Sequence, residues 1–233
     1  MFVSRAERVL SSSTRDGTYP AGGVTFGAAG NLYGTTSGGG IFNYGTVFEL
    51  SPAGGGSWTK TTLHAFDTGS GGYGPAAGVI LDSAGNLYGT AAVGGPGTNC
   101  IDGCGVVFEL MPRTGGSWTI RTLHAFDNNG KDGFFPQAGL IFDSAGNLYG
   151  TTFYGGANTG CYDNEFTCGT AFELERTASG GFTEKVLHDF GSKESDGQNP
   201  VAPLTLDGAG NLYGTTTFGG GTFGDGTVFE VTP

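Results

Sequence analysis

The sequence predicts an all-β protein, a four-bladed β-propeller made of four-stranded antiparallel blades. Phrases close to "DSAGNLYGTT" occur four times, with the strand that follows the turn opening at Asn31, Asn86, Asn147 and Asn211. Short apolar runs bounded by Gly, Pro, Asn and Ser follow each copy, which is the pattern of strands joined by turns. A period of this length in a strand-rich chain indicates a ring of repeated units.

Each repeat contains four short strands, which we name a to d in chain order. In the second repeat they read "AGVILD", "NLYGTAAV", "GVVFELM" and "WTIRTLHAF". The "DSAGN" phrase suits a hairpin turn between strands a and b, because Asp accepts hydrogen bonds from turn backbone and Gly adopts positive φ. The Gly of "NLYG" is expected to leave room for a neighbouring backbone.

The two ends of the chain each contain part of one repeat, and the two parts together make a complete four-stranded unit. The chain ends on a strand c, "GTVFEVTP", and its start, "AERVLSSSTRDGTYP", aligns with "TEKVLHDFGSKESDGQNP". Residues near Arg8 are therefore expected to lie beside Phe229 and to close the ring, which removes exposed strand edges. A larger ring of two chains is the alternative. We predict one domain over residues 1–233, with blades at about 21–66, 76–126, 137–190 and 201–233 plus 6–13.

Charge and hydropathy exclude several partners. The net charge of -11 disfavours nucleic acid and anionic membranes, since both require a basic surface. No apolar run reaches the roughly 18 residues of a transmembrane helix. The first residues contain no apolar run long enough for a signal peptide. The sequence is thus expected to be either cytosolic or a mature or trimmed form.

The four cysteines favour the second of these settings. Cys100 and Cys104 are close together, as are Cys161 and Cys168, and both pairs occupy the same loop of their repeats. Such local pairs predict two disulfides, Cys100–Cys104 and Cys161–Cys168, formed in an oxidising compartment. A zinc site is the alternative, but it requires the two pairs to meet although they belong to different repeats.

Several motifs carry a family resemblance. The phrases "GNLYGTT", "GTVFEL" and "LHAF" resemble the GloVer-type tandem repeat of secreted or surface-anchored bacterial proteins, over nearly the whole chain. This resemblance implies an extracellular setting and brings no known activity. More distantly, "AGLIFDSAGNLYG" resembles the first two strands of NHL-repeat and gluconolactonase-like propellers. Members with metal-dependent chemistry place carboxylates near the start of the inner strand, and no inner strand here contains an acid, which argues against that type of site.

Two sets of repeated polar residues are expected to be structural. His64, His124 and His188 lie on strand d, and a shared metal site would require residues of different blades to converge. Glutamates repeat in strand c, and a catalytic pair would have to lie within about 10 Å. We therefore expect each to make hydrogen bonds in its own blade. These glutamates are Glu49, Glu109, Glu173 and Glu230.

The d-to-a and b-to-c loops share one face of a propeller and hold the candidate binding residues. Asp16, Asp132 and Asp196 each precede a proline by four residues. They either bond their own turn backbone or form a carboxylate ring near the axis that binds calcium. Aromatic residues accompany them and suit stacking on sugar rings or contact with a protein. These aromatic candidates are Tyr19, Tyr73, Phe134, Phe135 and Tyr154.

The sequence thus predicts a non-catalytic extracellular binding or scaffold module that binds a glycan, or a protein at the cell surface, through this loop face. The expected site is asymmetric, with Asp132, Phe134, Phe135 and Tyr154 among its walls. The alternative is a polysaccharide-acting enzyme, a glycoside hydrolase or lyase, with its site at the mouth of the channel. No catalytic residue and no cofactor other than calcium is predicted, and the protein is expected to be a monomer or a dimer.

Overall fold

The structure, a computed structural model, describes residues 16–159, 161, 167–222 and 224–233. Over these residues it is all β, with no α-helix. The strands form antiparallel sheets arranged as a four-bladed β-propeller, which confirms the predicted fold class. Comparison of the registers shows that the units are built alike, because Tyr33, Tyr88 and Tyr149 each pair with a glutamate of the next strand.

Blades 1 to 3 each contain four strands in the order a-b-c-d. Blade 1 comprises β1 (Thr18–Phe26), β2 (Leu32–Gly38), β3 (Thr46–Pro52) and β4 (Trp58–Ala65). Blade 2 comprises β5 (Ile80–Leu81), β6 (Leu87–Ala91), β7 (Val106–Pro112) and β8 (Trp118–Ala125). Blade 3 comprises β10 (Ile141–Phe142), β11 (Leu148–Thr152), β13 (Thr170–Arg176) and β14 (Phe182–Asp189), with a small ladder of β9 (Gly133–Phe134) and β12 (Tyr154–Gly155) beside it.

Blade 4 presents strands a to c among the described residues. It comprises β15 (Gly197–Pro200), β16 (Thr205–Leu206), β17 (Leu212–Gly219) and β18 (Val228–Val231), and β15, β16 and β18 all pair with β17. The predicted strand d from residues 6–13, and its pairing near Phe229, lie outside the described residues. The bounds of the single domain and its blades stay a prediction.

The "DSAGN" turn folds as its residue types predict. In blade 3, Asp143 Oδ1 accepts hydrogen bonds from the backbone N–H groups of Ala145 and Asn147, both at 2.9 Å. Asp143 Oδ2 accepts from Asn147 Nδ2 at 2.8 Å and from the Tyr149 hydroxyl at 3.2 Å. Asp82 and Asp207 make the same contacts in their blades. The phrase therefore recurs because each blade needs the same turn.

The Gly of "NLYG" makes room for a side chain rather than for a backbone, so this detail of the sequence prediction was wrong. A Cβ placed on Gly89 would lie 2.7 Å from Cζ of Phe108, and Gly150 has the same relation to Phe172. The phenylalanine of strand c crosses the adjacent strand b at this point and leaves no space for a methyl group. The "NLYG" and "VFEL" motifs are thus two halves of one packing contact.

Aromatic rings link each blade to the next. Phe66 of blade 1 contacts Phe108 of blade 2 with ring centroids 5.3 Å apart, and Phe126 contacts Phe172 at 5.2 Å across the next junction. Phe190 and Phe229 repeat this contact at 4.8 Å between blades 3 and 4. Edge-to-face pairs of this kind add to the free energy of apolar burial. The last phenylalanine of the "LHAF" and "LHDF" motifs therefore joins each of blades 1 to 3 to the next blade.

The inner strands of blades 1 and 2, together with the segments that lead into the inner strands of blades 2, 3 and 4, surround a cavity of about 400 Å³. Its walls are mainly Gly, Ala, Val and Pro, as the inner-strand sequences predict. None of the described residues lining it is an acid. Its lining includes Gly22, Val24, Ala77, Val79, Gln137, Leu140, Val201 and Pro203.

Candidate functional site

The d-to-a and b-to-c loops meet on one face of the propeller, which we call the loop face. In blade 3, Phe134 of β9 pairs with Tyr154 of β12, and Gly156 N donates to Asp132 O at 2.8 Å. Tyr73 and Val93 form the matching bridge in blade 2. The loops that carry the candidate binding residues are therefore joined to each other by backbone hydrogen bonds, as part of the scaffold.

Four aromatic side chains come together on the loop face of blade 3. The ring centroid of Tyr154 lies 5.4 Å from that of Phe134, 6.0 Å from that of Phe135 and 4.6 Å from that of Phe153. All four side chains are half-buried. We call these four residues the blade 3 aromatic cluster. Sequence reasoning missed Phe153, although an aromatic residue there, where the other units have Ser37, Ala92 and Thr217, was a visible signal.

The cluster is specific to blade 3. The cross-strand pair Phe134–Tyr154 corresponds to Thr18–Gly38 in blade 1, Tyr73–Val93 in blade 2 and Gln198–Phe218 in blade 4. Only the blade 3 pair consists of two aromatic residues. The scaffold is the same in each unit, so this difference is the asymmetry that the loop sequences predicted.

Phe135 has a backbone conformation that is unfavourable for a bulky residue. Its φ is 60°, in the left-handed region, and it directly precedes Pro136. The matching positions are Tyr19 with φ 56°, Gly74 with φ 64° and Asn199 with φ 57°. Gly and Asn adopt this conformation at little cost, whereas a bulky side chain there is strained. All four blades thus share this conformation, and blades 1 and 3 have an aromatic residue in it.

Both backbone polar groups of Phe135 are held by hydrogen bonds. Its N–H donates to Cys104 O at 2.9 Å, and its carbonyl oxygen accepts from Phe153 N at 3.1 Å. Cys104 is bonded to Cys100, and Cys161 is bonded to Cys168, which confirms both predicted disulfides. The first disulfide therefore fixes the loop of blade 2 on which Phe135 rests.

The other two aromatic candidates occupy separate positions on the loop face. Tyr73 lies against Tyr44, with ring centroids 4.8 Å apart, at the junction of blades 1 and 2. Tyr19 is 77% exposed at the position in blade 1 that matches Phe135. The structure thus brings Phe134, Phe135 and Tyr154 into one cluster, while Tyr19 and Tyr73 lie at the equivalent places of other blades.

The three aspartates proposed for calcium do not form one group. Asp132 Oδ2 lies 3.0 Å from His124 Nε2 and accepts from Asp127 N, while Asp196 bonds His188 and Ser192. The carboxylates of Asp132 and Asp196 are thus engaged within their own loops and with a histidine of the preceding strand d. Asp132 is only 8% exposed, so it is not an exposed wall of the aromatic cluster. In the described chain, the carboxylate oxygens of these three residues do not converge.

The histidines make the local contacts that were expected of them. His124 and His188 each bond the aspartate of the following loop, and their rings pack edge-on against Phe126 and Phe190. His64 has no such aspartate because its loop has Gly71 at that position. Burial, opposed by the charge of Asp67, lowers the pKa of His64.

A third residue, which sequence reasoning did not predict, lies beside the pair of His124 and Asp132. Glu184, on strand d of blade 3, lies beside His124 and Asp132, with one ligand atom of each residue within 4.8 Å of the other two. Burial and then the Asp132 carboxylate raise the pKa of Glu184 to about 7, against the opposing effect of His124. The three residues form an inter-blade group, which we call the His124–Asp132–Glu184 cluster.

The repeated glutamates of strand c are structural in blades 2 and 3. The Tyr88 hydroxyl lies 2.8 Å from Glu109 Oε1 and 3.0 Å from Asp82 Oδ2, and Arg121 forms an ion pair with Glu109 at 2.6 Å. Burial, followed by the hydrogen bond to Glu109, raises the pKa of Tyr88 well above its usual value. Tyr149 and Glu173 repeat the contact at 2.9 Å. These carboxylates therefore support the sheet, as predicted, and do not pair across blades.

The fold and its loop face define a repeat-built β-propeller of the type that fits a non-catalytic module. A model of the Gloeobacter/Verrucomicrobia repeat matches residues 4–161 and 99–233, and the chain belongs to this repeat family. This finding confirms the family indicated by the motifs. Comparison with curated proteins returns no match. None of the described residues form a helix of the length and apolarity needed to cross a membrane.

Proposed function

We propose that the protein is a non-catalytic extracellular module that binds carbohydrate through the blade 3 aromatic cluster. The observation that carries this proposal is the contact of Phe135 with Tyr154, whose ring centroids are 6.0 Å apart. Tyr19 has the same left-handed conformation in blade 1, but Gly38 stands there at the position of Tyr154. Strained residues are maintained where function needs them. A half-buried ring at this position, next to Tyr154, offers a flat apolar surface of the type that stacks on a sugar ring.

Polar groups suited to sugar hydroxyls lie on the neighbouring loop segments. Asp127 accepts hydrogen bonds from Thr98 and from Asn99 Nδ2, both at 3.1 Å, and Asn128 Nδ2 donates to Asn99 O. These side chains belong to the disulfide loop of blade 2 and to the start of the loop that carries Phe135. A small number of polar groups beside an aromatic surface is the usual composition of a ligand site.

An extracellular setting is supported by the two disulfides. Disulfides form and persist in oxidising compartments and are rare in the cytosol. Cys104, Cys161 and Cys168 are buried, and no free cysteine occurs among the described residues. We therefore place the module outside the cell as part of the proposal.

The alternative, a polysaccharide-acting enzyme, requires two carboxylates or a carboxylate and a tyrosine at the mouth of the channel. The described residues around the cavity of about 400 Å³ include no acid, and no observation favours this class. Calcium at Asp16, Asp132 and Asp196 is not part of the proposal, because the latter two carboxylates are engaged with His124 and His188.

The proposal is tested with a glycan array that includes bacterial and plant cell-wall polysaccharides. The wild-type protein should bind at least one glycan, and Phe135→Asn should weaken that binding at least tenfold without lowering the melting temperature. Tyr19→Asn is the matched control, because it makes the same exchange at the equivalent position of blade 1 and should leave binding unchanged. Absence of binding by the wild type, or equal binding by Phe135→Asn, would contradict the proposal.

A further inference from the structure

The His124–Asp132–Glu184 cluster joins two blades through ligand-type atoms. His124 is the penultimate residue of strand d of blade 2, Asp132 belongs to the following loop, and Glu184 lies on strand d of blade 3. Asp132 is 92% buried, since 8% of its surface is exposed, yet its Oδ1 has no hydrogen-bond partner within the described protein. Glu184 Oε1 is buried and unpartnered in the same way. Two buried carboxylate oxygens without partners are costly unless a cation or a proton lies between them.

Blades 1 and 2 have other residues at the position of Glu184, and those residues contact the neighbouring d-to-a loop without a second carboxylate. Lys60, Ile120 and Glu184 have the same register in strand d, opposite a leucine of strand c in each blade. Lys60 Nζ donates to the Asp16 carbonyl oxygen of the preceding loop. Ile120 faces Gly71, where a Cβ would lie 3.2 Å from Ile120 Cδ1.

Blade 3 departs from both of these solutions. Blade 1 has a lysine at this position and blade 2 has an isoleucine, whereas blade 3 has a glutamate beside the Asp132 carboxylate. Asp189 adds a further negative charge near Glu184. Like charges at such a short distance repel one another strongly in a buried setting. This junction therefore needs either a cation or a proton between its carboxyl groups.

We propose that the His124–Asp132–Glu184 cluster binds a divalent transition-metal ion such as Zn²⁺. One imidazole nitrogen and two carboxylates are common ligands of zinc in proteins, and their combined charge of -2 matches the ion. The imidazole favours a first-row transition metal over calcium, which prefers oxygen ligands alone. This site differs from the predicted calcium ring, with which it shares only Asp132.

The distances in the cluster suit metal ligation after a small adjustment. In a tetrahedral site, metal–ligand bonds of about 2.0–2.2 Å place two ligand atoms of one zinc ion about 3.3–3.6 Å apart. His124 Nε2 and Asp132 Oδ2 are 3.0 Å apart, slightly closer than this, and all three ligand atoms lie within 4.8 Å of one another. Ligation would require the Glu184 carboxylate to move closer to the other two groups.

A metal at this place would connect β8 directly to β14. The loop between His124 and Asp132 leads into Phe134 and Phe135, so the ion would also anchor the segment that carries the aromatic cluster. The inference does not rest on the proposed carbohydrate binding, because none of the three ligand residues belongs to the blade 3 aromatic cluster.

The test is titration of ZnCl₂ into the untagged protein at pH 7.5, after removal of metals with EDTA and of the chelator by dialysis. Calorimetry should show one zinc ion per chain, and the melting temperature should rise with zinc concentration. Glu184→Lys should weaken zinc binding at least tenfold and remain folded, because it recreates the arrangement of Lys60 at the loop of blade 1. His64→Gln is the control and should bind zinc as the wild type does.

Three results would overturn the proposal. The first is the absence of saturable zinc binding below about 1 mM, and the second is equal affinity of the wild type and Glu184→Lys. The third combines two observations: the wild type does not bind zinc, and Glu184→Gln has a higher melting temperature than the wild type in zinc-free buffer. Together they would show that the cluster holds a proton instead of a metal ion. If Glu184→Lys does not fold, Glu184→Gln replaces it and should show the same tenfold loss.

Discussion

The N–H of Phe135 donates to the carbonyl oxygen of Cys104, 2.9 Å away, across the junction of blades 2 and 3. The same contact joins Asn199 to Cys168 at 2.7 Å in the next junction. In the first junction Gly74 donates to Tyr44 O, at a position without a cysteine. Each disulfide therefore closes its own loop and also fixes a carbonyl group. That carbonyl oxygen accepts a hydrogen bond from the backbone N–H of the residue with left-handed φ in the following blade.

Removal of the first disulfide should loosen Phe135. The double variant Cys100→Ser/Cys104→Ser opens a loop whose closure stabilises the fold by about 2 kcal/mol. We expect a lower free energy of unfolding and faster hydrogen exchange of the Phe135 amide, measured by NMR. The matched variant Cys161→Ser/Cys168→Ser should lose a similar free energy and leave the exchange of Phe135 unchanged. Equal exchange of Phe135 in both variants would show that the disulfide does not hold it.

Replacement of Phe135 by Asn should not destabilise the protein. Asn tolerates the left-handed conformation, so the strain that is relieved offsets the lost contact with Tyr154, and urea denaturation should show an unfolding free energy equal to that of the wild type or up to about 1 kcal/mol higher. The reverse change, Gly74→Phe, should cost about 1–2 kcal/mol. Phe134→Ala should be destabilising, because Phe134 packs against the buried core of blades 2 and 3. A loss of more than about 1 kcal/mol in Phe135→Asn would mark Phe135 as a packing residue.

Substitution of Gly89 by Ala should destabilise the fold by about 1–3 kcal/mol, since the added methyl group meets the Phe108 ring. Gly208→Ala is the control. A Cβ at Gly208 meets no atom within 4 Å, and the other units have Ala28, Ser83 and Ser144 at this turn position. Chemical denaturation of both variants checks the prediction. Equal stabilities would show that the phenylalanine moves aside without cost.

Acid should lower the free energy of unfolding, because protonation removes the hydrogen bonds that three turn aspartates accept. These aspartates are Asp82, Asp143 and Asp207. For Asp143, burial raises the pKa, but hydrogen bonds from Asn147, Ala145 and Tyr149 outweigh it and hold the pKa below its ordinary value of 3.8. A carboxyl group whose pKa is lower in the folded protein stabilises the fold while it is ionised. That contribution is present above about pH 3.8 and is lost as the pH falls through the folded-state pKa.

Asp143→Asn provides the measurement for this turn. The variant should be less stable than the wild type at neutral pH, and its unfolding free energy should fall less steeply between pH 4 and pH 2. Asp225→Asn is the control, because Asp225 is exposed and lies outside these turns. A slope that is the same in Asp143→Asn and in the wild type would contradict the assignment.

Local sequence was sufficient to predict the blades and the disulfides. The turn at Asp143 follows from side chains that bond backbone groups two and four residues away, and Cys100 and Cys104 are close in the chain itself. Such short-range contacts are the same in every fold that contains the motif. The sequence also identified the d-to-a and b-to-c loops as the variable face, and three of the residues it singled out there do meet.

The remaining features depend on contacts between residues far apart in the chain. Three contacts were not predictable, because a repeat shows which residues are equivalent and not which of them touch. The first is the packing of the Phe108 ring against Gly89. The others are the bond of Asp132 to His124 and the approach of Glu184 from the next blade. Likewise, Phe135 could be recognised as an aromatic loop residue, but its left-handed φ is imposed by hydrogen bonds to Cys104 and Phe153. The sequence by itself thus determined the repeated unit and its turns, and the tertiary structure decided the site, because the site is made where one unit meets the next.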